Sequence, residues 1–342
     1  MATILDTLPK VDLHCHLDGA LPVEGLAHLA TLRGLPEGSD ADALASRIHC
    51  TDTATLETAR AWVRDLLTNA EDLTTAGLLL GRRLIDEAVL HAEIVVDPTA
   101  YGHTGLHGWE VLAAVGTGLA EATQEREEAF LSWGLLVELR RDVEPDAIAA
   151  VLRDVRVEAV PGVAGVVVTG DKGPFPTEAW EFAKEAGLGR VVVASGRVAV
   201  AEALQLGAQR IVGAVAAAQD PELVLPLRAH RLPIVACPTA QVLTGSAKSL
   251  AAHPMRKMRD AGLFVVIATG WPTLCDTSLP RELEALAKHQ GWRLDDARNA
   301  TTRAIEAGFM DAKLRFHLAR TVEIWRHRPM AGPAAKGDNW SL

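Results

Sequence analysis

The run Lys10-Val11-Asp12-Leu13-His14-Cys15-His16-Leu17-Asp18-Gly19 gathers the residues best suited to chemistry. Side chains alternate along an extended strand, so His14 and His16 share one face and Cys15 takes the other. Two imidazoles so placed can hold a divalent metal. Without a metal they can act as general acid and base near neutral pH. An H-x-H pattern alone is a weak motif, and its meaning depends on what positions it. Other candidates stand far away in the chain: Gly170-Asp171, Ser195 and Arg197, Trp271, and the histidine-bearing segment with His103 and His107. Arginine offers a planar fork for a carboxylate or phosphate, and tryptophan offers a stacking plate.

The elements that must bring these residues together recur along the sequence. Short β-branched runs at 11–16, 92–97, 134–140, 163–169, 190–195, 210–213, 234–237 and 263–269 predict eight strands. Helical stretches separate them, several ending in Gly, as at 187, 207 and 262. Alternating strand and helix predicts a parallel sheet, and eight such units predict an α/β fold of (β/α)8 TIM-barrel type. Extra helices are expected between strands 1 and 2, including 56–69 and 73–89, and at the C-terminal side over 280–289, 294–306 and 311–326. Residues 1–327 read as one barrel domain and 328–342 as a flexible tail rich in Pro and Gly. A TIM barrel collects its chemistry at the C-terminal ends of its strands, which places His14, His16 and the His103 loop on one side.

The 342 residues carry a formal charge of −10, which argues against nucleic acid or an anionic membrane as partner. A small-molecule ligand is the expected partner, and oligomeric state is left open. No run approaches the length of a membrane span, and residues 1–10 lack the pattern of a secretory leader. Cys15, Cys50, Cys237 and Cys275 are scattered without a C-x-x-C pair, as expected of reduced thiols in a cytoplasmic protein.

The segment Pro9–Ala20 resembles the opening signature of adenosine deaminases almost residue for residue. The resemblance continues through Glu93–Pro98, Gly170-Asp171, Cys237-Pro238-Thr239, Thr244-Gly245, His253-Pro254, Asp260-Ala261-Gly262, Leu279–Leu283 and Leu294-Asp295-Asp296, in the family's order over roughly residues 9–325. It implies the barrel fold. It also implies a zinc site of three His and one Asp, a Glu that protonates the purine, and a His and Asp that orient the hydroxide. By the same resemblance His14 and His16 fall on the first two zinc ligands, Asp18 on a ribose contact and Gly170 on a backbone donor to the purine.

The pattern then breaks. The family's histidine-alanine-glycine-glutamate is Ala194-Ser195-Gly196-Arg197 here, which puts Ala194 at the third ligand and Arg197 at the proton donor. Gly213 stands at the orienting His. The asparagine-threonine-aspartate-aspartate turn is Ala268-Thr269-Gly270-Trp271, so Gly270 takes the Asp ligand's place and Trp271 its neighbour's. Two imidazoles do not replace four ligands, and a permanent cation cannot cycle a proton as a Glu does. The expectation is therefore no metal, no other cofactor, and no zinc-dependent deamination of adenosine.

Three functions stay open at this stage. One is a metal-independent enzyme for a nucleoside-like or other small heterocyclic or carboxylated substrate. In it His14, His16 and Arg197 are catalytic, and Asp18, Gly170, Asp171, Trp271, Ser195 and His103 contact substrate. A second is a non-catalytic pseudoenzyme or small-molecule-binding protein that partners an active enzyme. A third is a hydrolase with a metal site rebuilt from His103, Asp97 or Cys237. Each residue also has a structural alternative: Arg197 in an ion pair, Trp271 as a plug, His14 and His16 as inherited hydrogen-bonding groups. His103 and His107 read equally as solvated loop residues, Cys237 as a buried strand end, and Glu138 with Arg140 as an internal pair.

Overall fold

The computed structural model describes residues 4–126, 129–158, 160–170 and 172–326. The expected tail at 328–342 and Asp171 lie outside the described residues. Eight parallel strands follow one another in chain order: β1 (Lys10–His16), β2 (Val89–Val96), β3 (Ser132–Arg140), β4 (Val163–Thr169), β5 (Gly189–Ala194), β6 (Arg210–Gly213), β7 (Ile234–Ala236) and β8 (Val265–Ile267). The circle closes through a bridge between Cys15 and Gly270. There the His16 N–H donates to the Gly270 carbonyl at 2.8 Å, and the Gly270 N–H to the His14 carbonyl at 2.9 Å. The expected (β/α)8 TIM barrel is the fold.

Helices fill the connections. A short α1 (Ile4–Thr7) precedes β1, and four helices separate β1 from β2: α2 (Val23–Leu32), α3 (Ala41–Ile48), α4 (Thr53–Leu66) and α5 (Ala70–Asp86). Single crossovers follow: α6 (Gly108–Glu125), α7 (Pro145–Glu158), α8 (Thr177–Glu185), α9 (Arg197–Gln205) and α10 (Pro221–Ala229). Between β7 and β8 lie α11 (Pro238–Leu243) and α12 (Met255–Asp260), and α13 (Leu279–Gln290), α14 (Leu294–Ala307) and α15 (Ala312–Arg326) complete the described chain. The helices expected at 56–69 and 73–89 are α4 and α5, each starting and ending three residues earlier than the apolar spacing alone predicts. The cause is capping: Asp52 accepts from Thr55 N–H and Asn69 from Asp72 N–H, satisfying donors at the helix starts. Ala88, at φ +55°, then breaks the chain direction before β2.

Val11, Leu13, Val95, Leu136, Val167, Val191, Val212, Val235 and Val266 pack together in one buried cluster inside the barrel. A larger apolar layer, with Cys15 in it, lies between strands and helices. Below the histidines sits a fully buried ion pair. Arg210 donates to Glu93 at 2.6 Å and to the carbonyls of Leu13 and Ala307, with its guanidinium 4.1 Å from the Phe309 ring centre. Burial alone would raise the Glu93 carboxyl, but Arg210 outweighs it and holds it at about 2. Among the described residues no helix is long and apolar enough to cross a membrane.

Candidate functional site

β1 is irregular between Asp12 and Cys15. Asp12 fixes this stretch by accepting from the His14 N–H at 3.1 Å and from the Thr269 hydroxyl at 2.6 Å. Burial raises the Asp12 carboxyl to about 6 against those hydrogen bonds. The result is that His14 and His16 meet on one face, as the strand period predicts. Their Nε2 atoms lie 3.1 Å apart and their rings stand edge to face. Each histidine is only 2% exposed. Burial lowers both pKa values well below 6.5; the His16 ring depresses His14 further, and Arg60 depresses His16. Both imidazoles are therefore neutral at pH 7.

Trp271 stacks on His16, with ring centres 4.5 Å apart and planes inclined by 21°. The Arg60 guanidinium lies over the Trp271 ring at 5.2 Å. Arg60 and Arg64 come from α4, and both converge on Asp18. Arg60 Nε donates to its two oxygens at 3.3 and 3.2 Å, and Arg64 Nε to Oδ2 at 2.6 Å. Arg60 Nη2 also reaches Glu138 Oε2 at 3.4 Å, and Glu138 Oε1 accepts from the Thr169 hydroxyl at 2.8 Å. Glu138 Oε2 stands 3.7 Å from His16 Nδ1. Burial would raise the Asp18 carboxyl, but the two guanidiniums outweigh it and hold it at about 2. Asp97, at the end of β2, is raised to about 6 by burial and by the Glu138 charge, and its Oδ2 is buried without a hydrogen-bond partner. The buried Nδ1 of His14 and Nε1 of Trp271 are likewise unpartnered.

The strands thus bring together His14, His16, Asp18 and Trp271, and leave other expected site residues apart. Arg197 opens α9 with its side chain 60% exposed, paired with Glu222 and, at 2.7 Å, with Asp220. It contacts these two acids and not the histidines. Ser195 lies just before it, and its carbonyl accepts from the Ala216 N–H. His103 is exposed, and its Nε2 lies 3.1 Å from the Leu67 carbonyl just past α4, which ties the loop after β2 to that helix. Gly170 is exposed at the end of β4 with φ +86°. Glu138 and Arg140 do not pair with each other: Arg140 turns outward to Asp142 and stands 3.8 Å from Asp97. Cys237 is buried, and burial followed by the Asp12 charge pushes its thiol well up.

Arg60 and Arg64 are the site residues that sequence reading missed. Their signal is visible afterwards: they sit four apart on α4, inside the buried stripe that includes Leu56, Ala59 and Val63. A basic pair interrupting an apolar helical stripe must find buried carboxylates.

The geometry can be tested against a tetrahedral metal. Two Nε2 atoms bound to one zinc at about 2.0–2.1 Å would stand roughly 3.3 Å apart, so the histidine pair alone is compatible. The remaining ligands are not supplied. Ala194, paired in register with Gly213 between β5 and β6, and Gly270 carry no donor side chain. Among the described residues no group of three or more His, Cys, Asp or Glu is placed to hold a metal ion.

The adenosine deaminase family model matches residues 9–325. An adenosine deaminase of Enterococcus faecalis is 29% identical over 322 residues, covering 89% of this chain and 92% of its own length. An aminodeoxyfutalosine deaminase of Acidothermus cellulolyticus is 29% identical over 306 residues, 83% of each chain. The crystal structure of an adenine deaminase from Arthrobacter aurescens superposes with a TM-score of 0.83 at 25% identity, covering 94% of this chain and 99% of that one. Strand order, the placement of the β1 histidines and the extent of the family match agree: the chain belongs to the adenosine deaminase family.

Proposed function

We propose that this member of the deaminase family has lost zinc-dependent deamination and works without a metal on a small nucleoside-like, heterocyclic or carboxylated molecule. The observation that carries the reading is the surroundings of His14 and His16: glycine and alanine stand where the resemblance places further ligands, and the Arg60 guanidinium lies over the Trp271 ring that stacks on His16. A cation held there opposes a second cation electrostatically. The remaining groups suit proton transfer. His16 lies beside Glu138, and Asp97, at about 6, exchanges its proton close to neutral pH. Asp18 and Trp271 would contact the ligand. Arg197 would reach it only after leaving Asp220 and Glu222. The charge of −10 supports a small molecule over nucleic acid or a membrane surface.

A second reading, a non-catalytic binding protein, is favoured by one specific observation. His14, His16, Asp18 and Glu138 are buried, and so are Arg60 and Arg64 of α4 that pair with the two carboxylates. The deciding experiment is elemental analysis of protein purified without chelator, together with adenosine and adenine turnover with added zinc. The expected result is well below ~0.1 zinc per chain and no deamination. Close to one tightly held zinc, or turnover restored by zinc, would overturn the proposal.

A further inference from the structure

Arg60 occupies the mouth in the manner of a bound ligand. Its planar head lies against the Trp271 ring, one edge faces Asp18, and another faces Glu138. A third carboxyl, Asp97, is 5% exposed, and its Oδ2 accepts no hydrogen bond although Arg140 stands 3.8 Å away. Taken without Arg60, the recess presents an aromatic plate, buried carboxylates and neutral imidazoles. That set recognises a flat, donor-rich cation through stacking and charge-assisted hydrogen bonds.

We propose that the mouth recognises a planar cationic group (a guanidinium, an amidinium or a protonated amino-heterocycle) and that Arg60 is a tethered stand-in which such a ligand displaces. The chain provides for the exchange. Arg64 holds Asp18 independently, so departure of Arg60 leaves that carboxylate paired and frees Glu138 and the Trp271 face. Arg60 Nη1 already contacts Glu57 at 2.8 Å, three residues earlier on α4. Glu57 is about half exposed and can retain the guanidinium once it swings outward. The exchange is a displacement without covalent chemistry. The inference rests on the reading that this mouth takes a small heterocyclic ligand, and names the charge and shape of its recognised end.

The test uses Arg60→Ala, with methylguanidinium as probe and N-methylurea as its flat, neutral counterpart, each titrated calorimetrically at millimolar concentration. Arg60→Ala is expected to bind methylguanidinium roughly tenfold or more tightly than N-methylurea, as loss of a charge-assisted hydrogen bond predicts. Adding Glu138→Gln should remove most of that preference. Equal binding of the two probes, or none to a folded Arg60→Ala, would overturn the proposal. Should Arg60→Ala not fold, Arg60→Gln is titrated in the same way with the same criteria. In the wild type, hydrogen exchange supplies a reading that needs no variant: methylguanidinium should speed exchange in residues 53–66, and an unchanged rate at saturation counts against displacement. Zinc content and adenosine turnover report separately on the metal-free reading, so the two can fail independently.

Discussion

Replacing Asp18 by Asn keeps the shape of the side chain and removes the charge on which Arg60 and Arg64 converge. The magnitude can be worked two ways. A carboxyl lowered from 3.8 to about 2 despite full burial carries roughly 2–3 kcal/mol of favourable interaction, at about 1.4 kcal/mol per pH unit. Leaving a buried guanidinium without its carboxylate costs about 3–5 kcal/mol. Arg60 keeps Glu138 and Glu57, whereas among the described residues the Arg64 side chain pairs with Asp18 alone, so a loss of about 3 kcal/mol is expected at pH 7.5. The assay is urea unfolding of wild type and Asp18→Asn across pH. Because the folded pKa lies below the unfolded one, the contribution is complete above about 4 and is lost as pH falls towards about 2. The two stability curves should therefore converge over that range. A variant within about 0.5 kcal/mol of wild type at pH 7.5 would refute the reasoning. Asp18 would then be free to contact a ligand, as the family resemblance implies.

Asp97→Asn should act in the opposite sense. The Asp97 carboxyl is raised to about 6, so wild-type stability falls as pH rises from about 4 to about 6 and stays lower above it. The Asn variant can keep the Thr99 hydrogen bonds and should gain up to about 3 kcal/mol at pH 7.5 with little gain near pH 4; a loss at pH 7.5 would mean that Asp97 is ionised and paired. Gly19→Ala would place a Cβ 2.5 Å from the Cβ and Cδ1 of Trp271. It should cost about 1–3 kcal/mol and shift the Trp271 ring off His16, read as a changed near-ultraviolet circular dichroism band; an unchanged band and stability would argue against the stack.

The barrel was legible in the sequence because each strand and crossover announces itself locally, through β-branched runs and glycine-terminated helices. The histidine pair was legible for the same reason: a period of two suffices to place His14 beside His16. What escaped was long-range. Arg60 and Arg64 stand more than 40 residues from Asp18 and 78 or so from Glu138, and no local pattern states which carboxylate a buried arginine will choose. Arg197 shows the converse. Its position just after β5 suggested the mouth, yet an arginine at a helix start follows the nearest acids, and Asp220 and Glu222 at the start of α10 are those acids. Trp271 was readable as both plate and plug, and in the structure one stacked ring fills space and faces a guanidinium at once.

The bridge that closes the barrel has an evolutionary consequence. Gly270 joins β1 through two backbone hydrogen bonds while holding φ at +74°, in the left-handed region that side chains other than Gly enter at a cost of about 1–2 kcal/mol. An acid placed at this one position would strain the seam, and its Cβ would meet Ala240 at 3.4 Å and Cys237 at 3.5 Å. On the metal-free reading proposed above, a ligand introduced at Gly270 alone loses stability before any metal is gained. On that reading the seam would work as a ratchet, favouring elaboration of the altered mouth over a return.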